Sequence, residues 1–145
     1  MTVHLVKMCV GVESVRQLAA YQKARLERAR EEGDPEILRH VTRNRPRRAD
    51  ELCEDGSLYW VVRGFIAVRQ RILECEETEN AEGHRACGLI LGHELVRTEL
   101  RPCRPFQGWR YLPADKAPPD VKGSVDANGD LPPELVDELR SLGLL

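Results

Sequence analysis

The sequence predicts an α+β fold, a single domain in which an N-terminal helix packs on a curved mixed or antiparallel sheet or small pseudo-barrel. Three observations predict it. The chain opens as strand, helix, strand by hydrophobic periodicity. Beyond this opening lie mainly short β-prone runs separated by Gly, Pro, Asn and Asp. Its 145 residues suit one domain with room for a core. A doubly wound α/β fold needs more alternating helices than the sequence offers.

Val3 to Val10 alternates loosely and reads as a strand, with Gly11 as the turn after it. Ser14 is placed to cap a helix. Behind it Val15, Leu18, Ala19, Gln22, Leu26 and Ala29 recur at helical spacing, and Gln22 alone breaks that stripe. Gly33-Asp34-Pro35 ends the helix. Residues 37–43 read as a second strand, interrupted by Asn44-Arg45-Pro46. A short helical turn over Arg47 to Glu54 closes at Asp55-Gly56.

Leu58 to Arg63 carries the strongest β signal, and Gly64 marks a bulge or tight bend. On that strand Trp60 is expected to face the core with Leu58 and Val62, leaving Tyr59 outward. Residues 65–73 continue as strand. Residues 74–84, with five Glu, read as an acidic loop. Residues 86–91 and 94–100 read as two strands broken near Gly92-His93, and Phe106 to Leu112 as a partly extended aromatic segment. Residues 113–133 hold five of the nine prolines and read as an irregular wrap. A helix over 134–142 ends the chain. Residues 1–112 thus form the body of the domain, with 113–145 wrapped on it.

The chain is 41% hydrophobic and 32% charged, as soluble globular proteins are. No apolar run approaches the roughly 20 residues of a membrane span, and no signal-peptide pattern is visible. The expected location is the cytoplasm.

With 22 Lys+Arg against 24 Asp+Glu, the net charge of −2 argues against a wholly basic nucleic-acid binder. The distribution is uneven, however. Residues 37–71 sum to +4 and residues 96–112 to +3, while 72–84 sum to −5 and 113–145 to −4. Of the 22 bases, 18 are Arg, the residue suited to forked contact with phosphate or carboxylate. High genomic GC content also enriches Arg. Six of the seven aromatics lie in the two basic blocks.

The five cysteines are odd in number, widely spaced and without a C-x-x-C pair, so they read as reduced thiols. His84, Cys87 and His93 come nearest to a metal cluster, but buried small residues and surface histidines explain them better. No metal or cofactor is expected. A Gly-rich phosphate loop, a G-x-S-x-G elbow and an H-E-x-x-H pair are all absent from the sequence. Catalysis therefore has no positive support.

The candidate site residues come from the basic blocks. Arg43, Arg45, Arg47 and Arg48 are candidates for phosphate contact. Tyr59, Arg69, Arg71, Trp109 and Arg110 are candidates for a stacking surface. Each has a structural alternative. The arginines could be a solvated loop or pair with the acids of 74–82, and rings with guanidinium groups could lock a loop to its own core.

Several strings resemble a known family. They are His4-Leu5-Val6-Lys7, Val41-Thr42-Arg43 with Pro46 and Arg48, Glu51-Leu52, and Gly56-Ser57-Leu58-Tyr59-Trp60-Val61. Arg69-Gln70-Arg71-Ile72 and Arg104-Pro105-Phe106-Gln107-Gly108-Trp109-Arg110-Tyr111-Leu112 complete the set. Across residues 3 to 120 the chain resembles the bacterial family called domain of unknown function 1489. That resemblance implies a small cytosolic bacterial protein and carries no activity or catalytic residue. Cys9 fits the family pattern, whereas Cys53, Cys75 and Cys103 do not. The order of elements also resembles the PUA-like group with its ASCH and EVE relatives, small β-barrel modules that often bind RNA or modified bases.

The expected function is a noncatalytic binding module for RNA, a nucleotide or another anionic planar ligand. One alternative is a small enzyme on a phosphorylated or nucleobase-like substrate, using His40 or a thiol. Another is an adaptor for an acidic protein partner.

Overall fold

One long strand organises the sheet. The computed structural model describes residues 2–124, and the helix expected over 134–142 lies outside the described residues. The strands are β1 (Val3–Met8), β2 (Leu38–Thr42), β3 (Ser57–Val62), β4 (Phe65–Glu79), β5 (Arg85–Leu91), β6 (Val96–Pro102), β7 (Trp109–Pro113) and β8 (Asp120–Ser124). The helices are α1 (Val15–Glu31) and α2 (Ala49–Asp55), with a short 3-10 turn at Ala114–Lys116.

The first half of β4 pairs with β3 and β6, and its second half with β5, which in turn holds β2. On the far side of β3 lies β1, running parallel to it, and then antiparallel β7. β8 pairs with β6. The result is an open, mixed, eight-stranded sheet in an α+β domain, as the sequence predicts. Its marginal strands β7 and β8 do not pair with each other, yet residues 114–119 alone connect them. So short a link requires the sheet between them to curl strongly.

Three expectations need correction. Residues 74–84 are not a loop, because β4 runs on to Glu79 and leaves residues 80–84 as the turn. Its glutamates are tolerated because neighbours supply cations. Arg39 pairs with Glu76, and Arg85 lies 3.5 Å from Glu77. Asn80 Oδ1 closes the turn by accepting from the Glu82 and His84 amides. The second correction is inside the wrap at 113–133, where residues 120–124 join the sheet as β8. The third is Tyr59, which is buried rather than facing outward, because both faces of β3 are covered.

The two coverings make two apolar clusters. Leu5, Leu58, Trp60, Val62 and Val68 pack with Val15 and Leu18 of α1 on one face. Val6, Tyr59, Val61 and Ile66 pack with Phe106 and Leu112 on the other. The β3–β4 turn uses Arg63 (φ 51°) and Gly64 (φ 85°), and two left-handed residues are what a type I′ hairpin requires. Gly56 serves a different need. A Cβ there would lie 2.5 Å from Val3 O and 2.7 Å from Leu52 O, so no other residue lets α2 approach β1.

Gln22, the exception in the α1 stripe, is buried against an equally buried Gln70 of β4. Their amides exchange two hydrogen bonds, of 2.9 and 2.8 Å. Gln70 also accepts from Trp60 Nε1 at 3.2 Å and donates to Gly92 O at 2.8 Å. Both donors and both acceptor positions of its amide are thereby used. Arg97 of β6, opposite Val68, is the contrary case. It is 1% exposed, and its Nε is buried with no hydrogen-bond partner. Burial alone pulls its pKa down to about 10.

Candidate functional site

The candidate residues other than Arg110 fall into two groups on opposite faces of the curled sheet. On β7, Trp109 and Tyr111 face the α1 side with Leu5, while Arg110 alternates to the other side opposite Val6.

The first group joins the two basic blocks. The loop at 43–48 lies against β7, where Trp109 Nε1 donates to Asn44 O at 2.9 Å. The Arg48 amide donates to Tyr111 Oη at 3.1 Å, and its guanidinium sits 5.7 Å over the Tyr111 ring. Trp109 meets Tyr111 edge to face at 4.9 Å. The rings therefore hold the loop down, and Arg48 is further tied to Glu51. Arg43, Arg45 and Arg47 are left exposed, with no hydrogen bond or ion pair among the described residues.

The second group lies in a cleft of about 720 Å³ on the opposite face, under the segment 114–120. Tyr59, Arg69 and Arg71 line it together with His4, Ser57 and Asp120. Arg69 holds Asp120 in a fork, Nε and Nη2 each 2.7 Å from a carboxylate oxygen, and donates to Ser57 Oγ at 3.1 Å. The fork holds the Asp120 carboxyl below its usual range. Arg71 is engaged with backbone. It donates to the carbonyls of Gly56, Ile72, Cys53 and Glu54, satisfying the C-terminal end of α2.

His4 Nδ1 accepts the Ser57 amide at 2.9 Å, so its proton is on Nε2. Burial, then the Arg69 charge, lowers its pKa. The His4 ring meets Tyr59 edge-on at 5.0 Å. Asp55 and Glu94 also line the cleft, so three carboxylates face two arginines that are already engaged. Arg110 belongs to neither group and lies over Phe106 at 4.5 Å.

Sequence reasoning missed His4, Ser57 and Asp120. Two of them lie in strings that carry the family resemblance, and Asp120 lies in a segment read as wrap. His40, a candidate acid or base, does not reach the cleft. Its ring packs edge-on against Trp60 at 5.0 Å, its Nε2 is buried without a partner, and burial pulls its pKa down to about 4.

His40 gives a pH dependence. Between pH 6.5 and about 4 the unfolded chain binds a proton there that the folded chain does not. The stability tied to neutral His40 is thus complete above pH 6.5 and lost as pH falls toward 4. The loss is on the order of 2 kcal/mol by pH 4.5. Urea midpoints at pH 7 and pH 4.5 should differ clearly less for His40→Asn than for the wild type.

Among the described residues no group of His, Cys, Asp and Glu is arranged to hold a metal ion. No described helix is long and apolar enough to cross a membrane. Searches of curated proteins and of solved structures found no match, and the expected likeness to PUA-like domains is not shown. The strings at β1, β3, β4 and β7 that build both faces are also those that carry the family resemblance. The family model described as "Protein of unknown function (DUF1489)" matches residues 5–145, and the chain belongs to that family.

Proposed function

We propose that this protein is a noncatalytic RNA-binding module whose 43–48 loop contacts the phosphate backbone. One observation carries the reading. The Trp109–Asn44 and Tyr111–Arg48 contacts fix the loop while Arg43, Arg45 and Arg47 stay exposed and unpaired among the described residues. A loop whose backbone is already fixed loses little main-chain freedom when its guanidinium groups meet phosphate. Trp109 and Tyr111 serve by holding the loop, so the reading rests on backbone contact rather than on base stacking. The cleft is the poorer anion site, since Asp120 and four carbonyls already occupy its arginines.

The test is the salt dependence of binding to mixed-sequence single-stranded RNA. Each phosphate contact contributes about 0.7 to the slope of log affinity against log salt. The combined R43A/R45A/R47A variant is therefore expected to lower the slope by about 2 and to weaken binding at low salt by at least tenfold. Absence of binding by the wild type at low salt, or an unchanged slope in the variant, refutes the proposal.

A further inference from the structure

Three of the five cysteines, far apart in sequence, converge on the outer half of β4. Cys75 lies on β4 facing Leu89 of β5, and Cys87 is two residues from Leu89 on the same strand face. Cys53 comes from α2, which packs on β4. Its Sγ is 3.7 Å from Cys75 Sγ. Cys87 is fully buried, and its thiol and that of Cys75 lie close enough to influence each other electrostatically. Cys9 and Cys103 have no such thiol neighbour among the described residues.

We infer that Cys53 and Cys75 form a dithiol site that a hydroperoxide-class oxidant converts reversibly to a disulfide. The two are half-buried, so a small oxidant reaches them, while Cys87 behind them is shielded. In the first step the Cys53 thiolate attacks one peroxide oxygen. The O–O bond breaks, a sulfenic acid forms on Cys53, and the departing hydroxide takes a proton to become water. In the second step the Cys75 thiolate attacks the Cys53 sulfur. The S–O bond breaks, the S–S bond forms, and the second hydroxide leaves as water. Two thiols and one hydroperoxide thus give one disulfide and two waters, or one water and one alcohol from an alkyl hydroperoxide. A thiol reductant reverses it by exchange.

The surroundings set the rate and the consequence. Burial, with Cys53 alongside, pushes the Cys75 thiol up to about 12, and the Arg45 charge partly opposes this. Attack by Cys75 is therefore slow at neutral pH and accelerates on the order of tenfold per pH unit. Closing the gap to the roughly 2.05 Å of a disulfide joins α2 covalently to β4. The Cys53 and Glu54 carbonyls on the same turn accept from Arg71, which lines the cleft.

The experiment uses the full chain, reduced and then treated with hydrogen peroxide, followed by non-reducing tryptic peptide mapping. Arg63, Arg69 and Arg71 separate Cys53 from Cys75, and Arg85 separates Cys75 from Cys87, so each linkage gives a distinct peptide pair. The expected result is a dominant Cys53–Cys75 link, reversed by dithiothreitol and forming faster at pH 9 than at pH 7. C53S and C75S should each abolish it, and C87S should leave it in place. A dominant link through Cys9, Cys87 or Cys103 overturns the inference, as does peroxide oxidation that stops at sulfenic or sulfinic acid. Mapping of the wild type decides the matter even if a serine variant fails to fold. RNA binding is measured separately, so this result and that of the proposed function can fail independently.

Discussion

Gln70→Ala is expected to destabilise the protein by about 4 kcal/mol, measured by urea or thermal unfolding. The effect has two sources. Removing the side chain opens a cavity at a position that is 0% exposed. It also strands the Gln22 amide, Trp60 Nε1 and Gly92 O, each of which hydrogen-bonds Gln70. Buried polar groups left without partners cost about 1–3 kcal/mol each when no water can reach them. Gln22→Leu should cost clearly less, because it strands one partner rather than three. The cycle of single and double variants should show strong coupling, since the second substitution removes a group that the first left unpaired. Additive effects across that cycle would show that the amide pair is not a cooperative unit.

Arg97→Met is expected to act in the opposite direction, stabilising the fold by about 3 kcal/mol. The guanidinium is withdrawn from water with no ion pair among the described residues, and its Nε is unpartnered. Burying a charge without compensation costs several kcal/mol, while the aliphatic stem of Arg packs as Met does. A rise in the unfolding midpoint without a change in denaturant slope is the expected signature. A fall in the midpoint would mean that Arg97 makes a stabilising contact in solution.

These two residues also show where sequence reading stops. Local pattern locates the helix α1, its Ser14 cap and the apolar strand at 57–62, because each is written in residues adjacent on the chain or one helical turn apart. Gln22 looks like a flaw in a stripe, because its partner lies 48 residues away. Glu74 to Glu79 resembles a loop because charge usually marks a solvated tip. The cations that balance it come from β2 and β5, which pattern alone does not bring alongside.

The candidate site is legible in the same measure. The Arg and aromatic residues are visible by type, as is their clustering in the two blocks. Side alternation and strand pairing then divide them, placing Arg69 and Arg71 with Tyr59 and the 43–48 loop with Trp109. Asp120 is invisible as a site residue because its role depends on β8 reaching the cleft. The Cys53–Cys75 contact is likewise invisible, since wide spacing says nothing about distance in space.

The parallel pairing of β1 with β3 has a consequence for how the protein is made. The partners of β1 lie at residues 57–62 and 109–113. A ribosome adding about 5–20 residues per second exposes β1 several seconds before either partner emerges. During that interval Val3, Leu5 and Val6 stand unburied on a strand with both edges open, the condition that invites wrong pairing between nascent chains. A strand that leaves the exit tunnel before both of its partners is thus among the last to be secured. Heat-stressed cells should lose newly made protein to aggregation well before they lose protein that has already folded.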